Sequence, residues 1–276
     1  MPILILALLA LLLIAWFIGQ PRLTSLMRRR RQEAPFPSHW RAILRRRVPI
    51  VATMPTDLQL QLKRLIQVFL AEKAFIGCKG QIITDEVRVT IAAQACLLLL
   101  NRQTDFYPNL RQILVYPEAF MVDRVRTDAG GIVQSRRDVL SGESWSQGQV
   151  ILSWHDTVEG AAHPHDGRNV VLHEFAHQLD YESGPANGAP DLGSARRYAH
   201  WSEVMKSAYA SLRRETRRYE AGGPAPLLDP YGATDPAEFF AVATEVFFEQ
   251  PQELAAQHPA LYRELAGFYA VSPASW

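Results

Sequence analysis

The sequence predicts an α+β domain, mostly helical with a small sheet, preceded by an N-terminal transmembrane helix. Three observations carry this. Apolar residues recur at three- and four-residue spacing over most of the chain, a few short β-rich runs lie between turn signals, and an uninterrupted apolar stretch opens the sequence. With 276 residues, 48% hydrophobic and 21% charged, the chain suffices for one sizeable domain plus an appendage. A net charge of +1 argues against a nucleic-acid binder, which needs a marked basic excess to meet phosphates. Cys78 and Cys96 lack metal-ligand spacing and sit in apolar surroundings, so no disulfide is expected and a reducing compartment fits.

Ile3 to Ile18 is apolar throughout, closed by Gly19 and followed by Arg22 and the block Arg28 to Arg31. As a helix, roughly 16 to 19 residues reach about 24 to 28 Å, enough for a thin hydrocarbon core. A cleaved signal peptide is the alternative, but it calls for a cationic start and a small-residue cleavage site, and neither precedes Gly19. The arginines place the C-terminal flank in the cytoplasm. The expected organisation is a membrane anchor over residues 1–20, a basic juxtamembrane linker over 21–47 that can rest on anionic lipid, and a folded domain over 48–276. This puts the domain in the cytoplasm, anchored at the inner membrane; a purely cytoplasmic protein is the alternative.

Within the domain, Thr56 and Asp57 start a helix that carries Leu58, Leu62, Leu65, Ile66 and Phe69. Lys79-Gly80 marks a turn, and Glu86 to Leu100 is a second helix apolar enough to be core. Ile113 to Tyr116 reads as a buried strand ended by Pro117, with Phe120 to Val122 as its continuation. Gln149 to Ser153 is another strand, after a glycine-containing turn. Arg197 to Arg218 is an amphipathic helix with Trp201, Met205 and Leu212 inward and its arginines solvated.

The chain is organised around Val170 to Asp180, VVLHEFAHQLD. In a helix His173 and His177 lie one turn apart, with Cβ atoms about 6 Å from each other, so both imidazoles can close on one ion. This is the HExxH arrangement: two histidines bind zinc, and the intervening glutamate, Glu174, is the general base toward a water that the ion acidifies. Two surface histidines by chance are the alternative. Against it, Val171, Leu172, Phe175, Ala176 and Leu179 make the helix buried, and a buried polar triad needs a reason. Asn169 has the side chain for its N-cap. Gln149 to Ser153, just ahead of this motif, is then a candidate strand for pairing with an extended substrate backbone, with an ordinary sheet strand as the alternative. His163 and His165 in the intervening loop are further candidate ligands, with solvated loop histidines as the alternative.

A catalytic zinc needs a third protein ligand. Tyr231 to Glu249, YGATDPAEFFAVATEVFFE, offers one on a helix that Asp235 caps and Pro236 begins. Glu238 in its first turn is either a capping-box partner of Asp235 or a ligand drawn into a core of Phe239, Phe240, Phe247 and Phe248. Glu245, two turns on, is a second candidate, as ligand or as acceptor for a ligating histidine's N–H. Asp180 is a third, as an outer partner or a cap.

HEFAHQLD, then YGATDPAEFFAVATEVFFEQPQEL and LYRELAGFY, with SWSQGQVILSW upstream, resembles the Mlc titration factor A family of bacterial zinc peptidases from about Phe36 to the C-terminus. The two motifs also resemble the active site of the anthrax lethal factor catalytic domain. The resemblance implies a zincin-like fold, Zn2+ as cofactor, His173, His177 and Glu238 as ligands, Glu174 as base, and the Tyr231 hydroxyl aimed at the oxyanion of the tetrahedral intermediate. It implies a peptide or protein substrate and a glucose-responsive, Mlc-like transcriptional repressor as partner. The expected function is zinc-dependent peptide hydrolysis; the alternative is a non-catalytic, zinc-containing regulator that binds a repressor. The hydrophobic N-terminus departs from the soluble members of that family.

Overall fold

The computed structural model describes residues 2–103, 105–127, 133–140, 142–145 and 148–276; over 120–140, 143–145 and most of 2–18 the description is of backbone. Helix α1 (Pro2–Glu33) runs without a break from the apolar stretch into the arginine block. The expected membrane span, Ile3 to Ile18, falls on side chains outside the described residues, apart from the exposed Leu13 and Trp16. Among the described residues no helix is long and apolar enough to cross a membrane.

The stretch 21–47, expected as a linker, is helical over 21–33 and 38–47, and both helices contact the domain. Arg28 pairs with Glu72 at 2.7 Å and with Asp105, and its guanidinium lies 4.9 Å from the Phe106 ring centroid. Gln67 donates to the carbonyls of Arg31 and Ala34, so the end of α1 lies along α4 (Thr56–Glu72). Helix α2 (Ser38–Arg47) buries Ile43 and Leu44, and a short α3 (Ile50–Thr53) buries Val51.

A four-stranded sheet holds β1 (Ala74–Gly77), β2 (Gln112–Tyr116), β6 (Gln149–Ser153) and β5 (Gly142–Trp145), in that order. The first three are parallel, which requires crossovers: α5 (Asp85–Leu97) makes the one from β1 to β2. The last pair is antiparallel, with Glu143 opposite Ile151. Two expectations change here. Phe120 to Val122 does not continue β2 but begins β3 (Phe120–Thr127), which pairs with β4 (Val133–Leu140) as a separate antiparallel ribbon. Gln149 to Ser153 is a strand, as expected, but it has β2 on one side and β5 on the other, so its edges are occupied and β5 is the end strand nearest the motif.

Helix α6 (Trp154–Ala162) leads to α7 (Val170–Asp180), which packs on α5, α6, α9 (Pro236–Glu249) and strands β5 and β6. Phe175 is fully buried, its ring centroid 4.9 Å from Tyr107 and 5.7 Å from Phe69. Each such ring contributes about 1.5–3 kcal/mol by burial alone, so α7 is anchored on the face opposite its histidines. Helix α8 (Ala195–Glu220) buries Trp201 against Phe240 of α9 and Phe268 of α11 (Pro259–Tyr269), with α10 (Pro251–Gln257) between α9 and α11. Cys78 and Cys96 are both free thiols.

Candidate metal centre and active site

Local chemistry fixes both helices that meet here. Asn169 Oδ1 accepts from the backbone N–H groups of Val171 at 3.1 Å and Leu172 at 3.0 Å, which starts α7 at the residue expected. Asp235 Oδ1 does the same for α9, accepting from Ala237 at 2.9 Å and Glu238 at 3.0 Å. The capping-box reading of Glu238 fails, because its carboxylate turns to the histidines. Glu238 Oε2 lies 3.0 Å from His173 Nε2 and 3.4 Å from His177 Nε2.

One ligand atom from each of His173, His177 and Glu238 lies within 4.8 Å of the others, a set that can hold a metal ion. Two imidazoles and a carboxylate are the donors a catalytic zinc takes, with a fourth position left open. Burial works against charge on Glu238, but hydrogen bonds to His173 and His177 outweigh it and hold the carboxyl well below its ordinary range. Burial likewise opposes charge on His173, while Glu245 and Glu238 raise its pKa well above the usual value.

Glu245 grips the far side of His173. Its Oε1 lies 2.8 Å from His173 Nδ1, and its Oε2 accepts from the Asn169 N–H at 2.5 Å. A hydrogen on Nδ1 donated to this carboxylate would leave the Nε2 lone pair free for an ion once the ring is neutral. The sequence left Glu238, Glu245 and Asp180 open, and distance separates them. Asp180 accepts from the backbone N–H groups of Asn187, Gly188 and Ala189 and so folds the following loop. His163 sits beside Glu159, and His165 beside the Glu249 carbonyl; neither joins the ligand cluster.

Glu174 is 5% exposed, and its Oε2 has no hydrogen-bond partner among the described residues. An unpartnered buried oxygen costs about 1–3 kcal/mol, so this atom fits a site completed by a water or an ion. Burial raises the Glu174 pKa to about 7, with His173 and His177 pulling it down; a cation among the ligands draws it lower still. Tyr231 stands on a short 3-10 turn, Pro230–Ala233, with its ring centroid 6.0 Å from that of His173. A cleft of about 580 Å³ opens here, lined among others by Gly142, Asp156, Arg168, Glu174 and Tyr231.

Gly142 is a candidate site position the sequence did not reveal. A Cβ there would lie 2.6 Å from Glu174 Oε1 and 2.6 Å from Val170 Cγ2, so the bare backbone of β5 is what lets the base sit against the strand. Read along the chain it is a turn glycine, because the contact that explains it lies 32 positions away.

A helix presenting two histidines and a buried glutamate, closed by a carboxylate from a second helix beside a mixed sheet, defines a domain of the metallopeptidase class. Residues 23–270 match the family described as glucose-regulated metallo-peptidase M90, and the chain belongs to that family. An uncharacterized Synechocystis protein, slr2042, is 42% identical over 262 residues, covering 95% of this chain and 94% of its own length. Mlc titration factor A of Cronobacter sakazakii is 34% identical over 241 residues, 87% of this chain and 88% of the relative. That of Klebsiella pneumoniae strain 342 is 35% identical over 227 residues, 82% and 84%. The resemblance to the Mlc titration factor A family is thereby borne out.

Proposed function

We propose that this chain is a zincin-like, zinc-dependent peptidase whose ion is held by His173, His177 and Glu238. The observation that carries the reading is the convergence of those three ligand atoms next to a buried Glu174 oxygen that lacks a partner among the described residues, with His173 and Glu174 lining an adjoining cleft. Bound zinc supplies Lewis acidity, which brings the pKa of water toward about 7 and polarises a peptide carbonyl. Glu174 Oε2 takes the proton of the attacking water and passes it to the leaving amine. Tyr231 donates to the oxyanion as the carbonyl becomes tetrahedral. An extended peptide lies along β5 and pairs with its outer backbone edge.

The test is zinc content and turnover of chromogenic aminoacyl and peptidyl substrates, with and without a chelator. His173→Ala, His177→Ala and Glu238→Gln lose the ion, whereas Glu174→Gln keeps it and loses hydrolysis, since an amide cannot accept the proton. Full zinc in the first three, or residual turnover in the fourth, sinks the assignment.

A second reading comes from the name shared by the relatives, Mlc titration factor A: the chain binds an Mlc-like repressor and works by sequestering it. Loss of repression that persists with Glu174→Gln, the repressor remaining uncleaved, separates it from hydrolysis. We also propose that residues 3–18 anchor the protein at the inner membrane with the domain in the cytoplasm, on the strength of the apolar run and its arginine flank. Membrane fractions should retain the full chain at high salt and release a chain lacking residues 1–20; extraction by salt alone refutes the anchor.

A further inference from the structure

Asn169 does more than an N-cap requires. It is 5% exposed, and every polar group it owns is engaged. Its Oδ1 caps α7, its carbonyl accepts from the His173 N–H at 2.9 Å, and its own N–H donates to Glu245 Oε2 at 2.5 Å. The side-chain Nδ2 donates to Gln94 Oε1 of α5 at 2.8 Å and to Glu249 Oε1 of α9 at 2.9 Å. Gly160 of α6 closes the remaining side, where a Cβ would lie 3.1 Å from Asn169 Cα. Serine and threonine cap helices about as well as asparagine, and they offer no donors of this reach. Capping therefore does not account for the amide.

We infer that Asn169 is a positioning residue for the metal centre: Gln94 and Glu249 hold its amide, the fixed backbone N–H aims the Glu245 carboxylate, and Glu245 aims the His173 ring. The inference rests on the zinc reading above. Partners one step beyond a ligating histidine change metal affinity by about 10- to 100-fold, and Asn169 stands one further step out.

The measurement is the zinc dissociation constant of the full chain, by competition with a chromophoric chelator. Asn169→Ser keeps a capping oxygen and removes both Nδ2 donors, and it should weaken zinc by about tenfold. Glu245→Gln weakens zinc too. If Asn169 works through Glu245, adding Asn169→Ser to Glu245→Gln costs less than a further twofold. Thr84→Ala is the structural control: it removes the capping oxygen of α5, bonded to the Val87 N–H at 3.3 Å, and should lower stability while zinc affinity stays put. Should Asn169→Ser not fold, Asn169→Thr carries the same test.

Zinc affinity of Asn169→Ser within twofold of the parent overturns the inference, as does an equal loss in both backgrounds. In either case His173→Ala still empties the site, so the zinc reading stands. A parent chain that binds no zinc sinks that reading and this inference with it.

Discussion

Replacing Gly142 with alanine tests whether the base is held by the strand it leans on. The added methyl would sit 2.6 Å from Glu174 Oε1, 2.7 Å from Glu174 Cγ and 2.6 Å from Val170 Cγ2. Non-bonded contacts are comfortable at about 3.5–4.0 Å, so something must move by close to ~1 Å. Val170 is fixed in the first turn of α7, and β5 is paired along its length with β6. The Glu174 carboxylate, with one oxygen lacking a partner, is the part that yields. Displacing a reacting group by ~1 Å costs about 10²-fold in rate. The three atoms nearest the new methyl belong to Glu174 and Val170, not to His173, His177 or Glu238, so zinc content should stay at the parental level. Metal analysis and the turnover number on a chromogenic peptidyl substrate are measured on the same sample. Turnover within threefold of the parent at full zinc would refute the placement of the base, and joint loss of zinc and activity would refute the claim that the clash is confined to Glu174.

Burial, with Glu245 adding to it and the Asn169 amide opposing it, raises the Glu249 carboxyl to about 9 from an ordinary 4.5. Between those values the folded state binds the extra proton, so stability falls as pH rises, by up to about 1.4 kcal/mol per unit. Glu249→Gln removes that proton, and urea denaturation from pH 5 to 8 should show a flatter profile than the parent's; parallel profiles refute it. Phe175→Ala leaves a void between Tyr107 and Phe69 and should cost about 3–5 kcal/mol in the same assay, a loss under about 1 kcal/mol meaning that the ring does not anchor α7.

What the sequence made legible is what acts within a turn or two. The cap at Asn169, the cap and proline at Asp235 and Pro236, and the four-residue spacing of His173 and His177 are local rules, and α7 and α9 begin where those rules put them. Strand order is another matter, since pairing partners are chosen across the chain. Gln149 to Ser153 carries three apolar residues in succession, and such a run is characteristic of a strand enclosed on both sides. Its proximity to the motif suggested an edge; the apolar run described its burial better. The choice among Glu238, Glu245 and Asp180 was equally out of local reach, because all three are acids near helix termini or core faces, and what separates them is which histidine nitrogen or backbone amide each one meets.

The proposed ligands come from two helices whose parts are far apart in the chain: His177 on α7 and Glu238 on α9, 61 positions later. A ribosome adds residues at about 5–20 per second, so the two imidazoles exist for several seconds before the closing carboxylate is even made. Through that interval the nascent chain has a base and two donors but no complete cage for an ion. On the proposed reading, proteolytic capacity would be withheld until α9 has been synthesised and has docked against α7, and a chain truncated anywhere before Pro236 would lack it.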